Sequence, residues 1–368
     1  MQSSDMRLAA TLRDSGPMTR QALQAATGLS LATVNRGLGR LLESGSVVVS
    51  GNQVSTGGRP PELLAFNGDG QVVAGVSVTD GGATALVASV SGDVVARHEV
   101  AFARADDPEA RLRLTMSLLD RVVSGPPGRL IGVGVAVPGV VSGPGGTVTA
   151  IHELGWERLA LGDLLTRQAG MAVTLANDAD CLAVAEHRRG AGRGASNVVA
   201  LVARNGLGAG LITNGQLYRG HNHEAGEVGY LLTGRQSLRR LFPDRGELEQ
   251  LLGGERLRAE AARLGLGDRA WTLPDVIALG SDDASAAHDL AGELLDLVAL
   301  AVSAICVVLD PDVLIIGGAV GRGMDQLIAG VRERLVGRIL RVPRIEPAAL
   351  GADAVMVGAA LIANGHDA

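Results

Sequence analysis

The sequence predicts an α/β protein with a small helical module in front of it. Three observations carry this. Apolar residues recur at helical spacing through roughly the first 45 positions, and from Val72 onward short Val-rich runs alternate with glycine-bearing turns. The 368 residues are 46% hydrophobic and include 52 glycines, a composition suited to many tight strand-to-helix turns. A chain of this length buries a large core in two or three domains without disulfides or metals. Cys181 and Cys306 lie far apart in apolar runs and read as core residues in a reducing compartment. The N-terminus carries acids and no long apolar stretch, so no secretory signal is expected. No run is seen to approach the ~20 apolar residues of a membrane span. A cytoplasmic chain with no membrane partner is the expectation.

All 33 basic residues are arginine, so no lysine can clamp a phosphate or form a Schiff base. Residues 1–66 carry a net charge of +2 and the remainder −8. That basic excess is too mild to prove nucleic-acid binding by itself.

In the front segment, Leu8 and Leu12 with Ala9 and Ala10 predict a helix that stops at Ser15-Gly16-Pro17. Thr19 caps a second helix, which Gly28 ends, and Ser30 caps a third. The third buries Leu31, Val34, Leu38, Leu41 and Leu42, and leaves Thr33, Asn35, Arg36 and Arg40 elsewhere. Val47-Val48-Val49 and Glu62-Leu63-Leu64 then form a hairpin. A polar-faced helix after a tight glycine turn, backed by a hairpin wing, suits a DNA major groove. Thr33, Asn35 and Arg36 have the chemistry to read base edges, and Arg40 to hold a phosphate. The plain alternative is a three-helix packing module with solvated polar residues. Gly58-Arg59-Pro60 can likewise place the Arg59 guanidinium in a narrow A·T-rich minor groove, or serve as a rigid linker stiffened by Pro61.

The run from Gly16-Pro17 through Thr27-Gly28-Leu29-Ser30 and Thr33-Val34 to Ser55–Pro61 resembles the winged helix-turn-helix of the ROK family (repressors, open reading frames and kinases). The family usually has Ser at the position of Asn35. The resemblance continues over nearly the whole chain. Strand-like runs at 72–78, 84–90 and 94–102, a helix at 108–123 and a strand at 130–137 follow the order of the actin/sugar-kinase fold. The implied organisation is a winged helix-turn-helix DNA-binding domain at 1–66, followed by a two-lobed, kinase-like ROK domain at 67–368.

The same resemblance implies a sugar site. Asn177-Asp178, between the run at 172–176 and a helix, matches the family's Asn-Asp pair, whose amide and carboxylate bind sugar hydroxyls and whose Asp is the base in kinases. Pro138-Gly139 matches the loop that approaches the sugar, and Glu227 and Glu249 match two sugar-contacting acids. Tyr230 stands where the family has a histidine that contacts sugar and ligates zinc. No cysteine lies between Cys181 and Cys306 to supply the family's zinc cluster, and His221 and His223 cannot do so alone, so no metal is expected. Glu153, in the run His152–Trp156, replaces a frequent Asn.

The nucleotide side departs further. Ser77 takes the place of the acid that works with Mg²⁺, and a neutral hydroxyl cannot replace a carboxylate there. Asp80-Gly81-Gly82 reads as a hairpin turn or, less favoured, a phosphate loop. Asn205–Gly210 reads as a Gly-x-Gly-x-Gly turn between strands at 198–203 and 211–213. Asp312–Gly318 ends in a Gly-Gly turn, and Gly351–Ala363 forms an Ala-rich helix.

The expectation is a DNA-binding regulator, a repressor in sign, that senses a sugar or sugar derivative without phosphorylating it. No cofactor is needed, Asp178 is a vestigial base, and the partners are operator DNA and a second copy, as a homodimer or homotetramer. An active ATP-dependent sugar kinase and a ligand-independent DNA-binding scaffold are the alternatives.

Overall fold

The computed structural model describes residues 3–52, 60–67, 70–90, 92–103, 105–143, 145–204, 207–267, 269, 271–282, 285–318 and 323–365. The chain forms two compact units. One comprises residues 1–72, 88–96 and 126–131, and the other residues 73–87, 97–125 and 132–368.

The first unit begins with α1 (Ser3–Ser15), α2 (Arg20–Thr27) and α3 (Leu31–Glu43), followed by β1 (Val47–Asn52) and β2 (Glu62–Phe66). Thr19 and Ser30 are N-caps, accepting from the backbone N–H of Ala22 and Thr33, and Gly28 ends α2 in the left-handed region. β1 and β2 pair antiparallel, and Leu64 bridges to Met18 ahead of α2. The core is Leu8, Leu12, Leu23, Val34, Leu38, Leu41, Val47 and Leu64. Leu31, expected inside, is exposed, because the first turn of α3 precedes the packed stripe. Gly37 lets α1 come close: a Cβ there would press into the side chain of Leu8.

The remaining elements open with β3 (Gln71–Thr79), β4 (Gly82–Ser89), β5 (Val94–Ala101), α4 (Pro108–Val123) and β6 (Arg129–Val137). Then come β7 (Val141–Ser142), β8 (Thr147–Ile151), β9 (Trp156–Leu159), α5 (Leu161–Ala169), β10 (Val173–Asn177) and α6 (Asp178–Arg189). β11 (Val198–Ala203), β12 (Leu207–Thr213) and β13 (Gln216–Leu217) start the second half. It continues through α7 (Glu247–Leu252), α8 (Gly254–Arg263), α9 (Leu273–Leu279), α10 (His288–Leu309), β14 (Val313–Gly317), α11 (Met324–Leu335), β15 (Arg344–Pro347) and α12 (Ala354–Ala363).

Among the described residues, one sheet has the order β10-β6-β3-β4-β5 and another β13-β12-β11-β14-β15. β10 runs parallel to β6. In the second sheet β11 is parallel to β14 and antiparallel to β12. Burial on both faces explains why β11 and β14 read as unbroken apolar runs. One face packs on α7–α11, and the other shares a core with α6 and α12.

Two further expectations are corrected. Residues 207–210 are not turn but strand, since β12 starts at Leu207. Gly208 and Gly210 lie under α6, and a Cβ on Gly210 would run into the Ala179 carbonyl. These glycines therefore serve helix-on-sheet packing, and Asn205 and Gly206 lie outside the described residues. Gly210→Ala is expected to lower stability by about 1–3 kcal/mol, read as a lower urea midpoint at unchanged slope. The second correction concerns α10, whose 22 residues are long and apolar enough to cross a membrane by length and composition. Glu293 and Asp296 interrupt the apolar letters and hide the run. The helix buries Leu290, Leu294, Val298, Val302 and Ile305 in the core.

Candidate functional site

On α3 the structure leaves Asn35 and Arg36 exposed and Thr33 half-buried, beside the buried Val34, Gly37 and Leu38. Thr33 Oγ1 lies 2.9 Å from the Ser30 hydroxyl, and Arg36 Nε donates to the Ala32 carbonyl at 3.3 Å, leaving the guanidinium tip outward. Arg40 is different. Its Nη2 and Nε reach Asp5 Oδ1 and Oδ2 at 2.6 and 2.9 Å, a bidentate pair with a carboxylate whose side chain is 4% exposed. The phosphate role expected for Arg40 is thus displaced by a tie between α1 and α3, because helix packing delivers Asp5 to it. Arg59 lies outside the described residues.

Within the second unit a cleft of about 510 Å³ is lined by Gly139, Asn177, Asp178, Glu227, Tyr230 and Glu249, so the six expected residues share one cavity. Backbone geometry explains their convergence. β6 ends at Pro138-Gly139, with Gly139 at φ +88°, and its parallel neighbour β10 ends at Asn177. Asn177 caps α6: Oδ1 accepts from the N–H of Ala179 and Asp180, and Nδ2 donates to Gly139 O at 2.9 Å. Its amide is mainly a strut joining the Gly139 loop to α6, which aims Asp178 from the first turn. Ala209 of β12 donates to Gly226 O at 2.8 Å, fixing the segment that carries Glu227.

Burial holds the Asp178 carboxyl above its ordinary value, opposed by Arg204. Glu227 is pushed up to about 7, first by burial and then by Glu249, Asp178, Asp180 and Glu224. Glu249 is raised by burial and Glu153, with Arg245 and His152 opposing. Arg245 Nη2 in turn pairs with Glu153 Oε1 at 3.1 Å. The folded protein therefore retains a proton on Glu227 at pH values where the unfolded chain, near 4.5, has released it. Its contribution to stability is present below the unfolded value and lost as pH rises through about 7. Ligand-free Glu227→Gln is expected to melt with wild type at pH 5 and roughly 2–4 °C above it at pH 8. An unchanged difference between the two pH values would refute the assignment.

The loop after Tyr230 is tied by a carboxylate. Glu247, 5% exposed at the start of α7, accepts from the Thr233 N–H at 2.9 Å and from the Ser237 hydroxyl, which hold it below the usual range. Tyr230 Oη donates to Asp244 O at 3.4 Å. Among the described residues, no three His, Cys, Asp or Glu side chains are grouped to hold a metal ion. Ser77 is buried in β3 and does not line the cleft, whereas Thr79 and Asp80 at the end of that strand do.

Sequence reasoning missed Arg204, Glu224, Asp244 and Arg245. Arg204 follows an ordinary buried strand and reaches Gly318 O at 3.2 Å, a neighbour 114 positions away. Arg111, which donates to Glu153 O at 2.7 Å and so supports the cleft's rim from α4, carried no local signal either.

The family model described as ROK family matches residues 75–366. The chain belongs to the ROK family. A xylose repressor from Caldicellulosiruptor bescii is 29% identical to this ROK chain over 223 residues, 60% of this chain and 56% of the relative. The match thus spans about half the length of that repressor. A glucokinase from Halalkalibacterium halodurans is 26% identical over 317 residues, 77% of this chain and 92% of the kinase. A solved ROK family transcriptional regulator, a homologue of the E. coli MLC protein, matches with TM-score 0.81 at 21% identity, over 99% of this chain and 96% of that one. At that identity the likeness speaks for fold: a front helix-turn-helix region and a ROK sugar-kinase-like α/β fold.

Proposed function

We propose that this ROK chain is a DNA-binding transcriptional repressor whose second unit senses a saccharide without phosphorylating it. The observation that carries the reading is the exposed face of α3, where Asn35 and Arg36 project from a packed winged-helix unit. Residues 1–66 would read operator DNA and residues 67–368 would bind the effector through Asp178, Glu227, Glu249 and Tyr230, with Gly139 and Asn177 shaping the floor. The names of the xylose repressors and of the MLC homologue support it. A homodimer or homotetramer would present two α3 helices to successive half-sites. Saccharide binding would act by favouring one of two arrangements of the chain that differ in DNA affinity.

Against nucleotide chemistry stands Ser77, a buried hydroxyl at the place where the family resemblance sets a Mg²⁺-binding acid, although Asp80 beyond the end of β3 does line the cleft. Two observations favour a kinase instead: Asp178 is a buried acid in the cleft, and the glucokinase match covers most of that enzyme. Selection from a random duplex pool tests the first reading, since the full chain should enrich a sequence with two half-sites. Thermal shifts with a sugar panel, with and without ATP, test the second. Failure to enrich any DNA, or sugar-dependent ATP turnover by clean protein, would reverse the order of the two.

A further inference from the structure

The cleft is far richer in hydrogen-bond acceptors than in donors. Among the described residues, seven acidic side chains line it against two basic ones, Arg204 and His152. The neutral donors are largely committed inside the protein. Thr79 donates to Gly82 O at 3.3 Å, Tyr230 to Asp244 O at 3.4 Å and Asn177 to Gly139 O at 2.9 Å. Arg204 spends Nε on Gly318 O and faces Asp178. The charged groups acting on Glu227 are all acids, Glu249, Asp178, Asp180 and Glu224, and of these Asp180 is met by Arg219 at 3.5 Å. A ligand complementary to such walls brings donors and positive charge. An ammonium offers three donors and no acceptor, whereas a phosphate or carboxylate offers acceptors only.

We propose that the cleft selects its saccharide by charge, preferring a sugar with a free amino group over its neutral and N-acetylated counterparts and excluding sugar phosphates and sugar acids. This rests on the saccharide reading of the cleft given above. Charge-assisted hydrogen bonds from an ammonium to the carboxylates outweigh those of a hydroxyl, by about tenfold in affinity. A phosphate would instead meet like charge on most sides. Glu227 adds a pH signature. An ammonium beside it favours the ionised carboxylate, so binding drives its proton to the buffer, and affinity for the amino sugar should rise from pH 5.5 to 7, where the amine stays charged.

Calorimetry on the full chain tests this with the free-amine, N-acetyl, unsubstituted and 6-phosphate forms of the gluco, galacto and manno series. In the series that binds, the free amine should exceed the N-acetyl and unsubstituted forms by about tenfold, and the 6-phosphate should give no binding heat. Glu224→Gln combined with Asp244→Asn, both exposed lining residues, should shrink the amine preference while leaving affinity for the neutral sugar in place. A phosphate or N-acetyl form that binds as well as the amine overturns the charge selection and leaves the saccharide reading standing. Absence of binding throughout all three series, and of xylose run beside them, removes the saccharide reading and this proposal together.

Discussion

Asp178→Ala is expected to weaken saccharide binding by roughly 100-fold or more and to abolish the saccharide's effect on DNA binding, while the ligand-free protein binds DNA as wild type does. Two charge-assisted hydrogen bonds to a buried carboxylate account for that size of loss. The fold should tolerate the change. Asp178 sits in the first turn of α6, where Asn177 already satisfies the N–H groups of Ala179 and Asp180. Its carboxyl is buried and held above the ordinary value, so its contribution to stability is fully present below the unfolded value and lost as pH rises through the folded one. Near neutral pH the variant should therefore melt no lower than wild type, the usual trade between a strained site and stability. Calorimetry for saccharide, anisotropy for DNA and a melting curve together check this. A variant that keeps its saccharide affinity, or melts well below wild type, defeats the assignment.

Arg36→Ala and Arg40→Ala should fail in different ways. Arg36 is exposed on the polar face of α3, so its loss should cost about 1–3 kcal/mol on the selected operator and little on unrelated DNA, with an unchanged melting curve. Arg40→Ala removes the bidentate guanidinium partner of the buried Asp5 carboxylate, loosens α1 from α3, and should lower the melting temperature of the first unit. Any DNA defect of Arg40→Ala should then recover on cooling or with Asp5→Asn in the same chain. Loss of operator discrimination by Arg40→Ala with unaltered melting would return Arg40 to the DNA surface.

Much of the front unit was legible because its signals are local. Thr19, Gly28 and Ser30 act within four residues of their partners, and Leu8, Leu12, Val34, Leu38 and Leu41 announce a core by spacing alone. The cleft was legible where a motif stays contiguous, as in Asn177-Asp178 and Gly226-Glu227. The small sheet of β7, β8 and β9 escaped notice, since strands as short as Val141–Ser142 give too few alternations to reveal a period. Single residues supplied from distant positions, such as Arg204 and Arg111, escaped it too.

By itself, the sequence determined the helix, helix, turn, helix and hairpin order of the front unit, the lack of lysine, and the absence of any cysteine between Cys181 and Cys306. Each of these is a property of residue type or short-range spacing. Tertiary structure alone decided that Arg40 answers Asp5, that Asn177 braces Gly139, that Gly208 and Gly210 make room for α6, and that burial, with the charges of Glu249 and Asp178, pushes the Glu227 carboxyl up to about 7. Charge pairing, close packing and proton affinity depend on distance and burial, and the chain sets those quantities only when it folds.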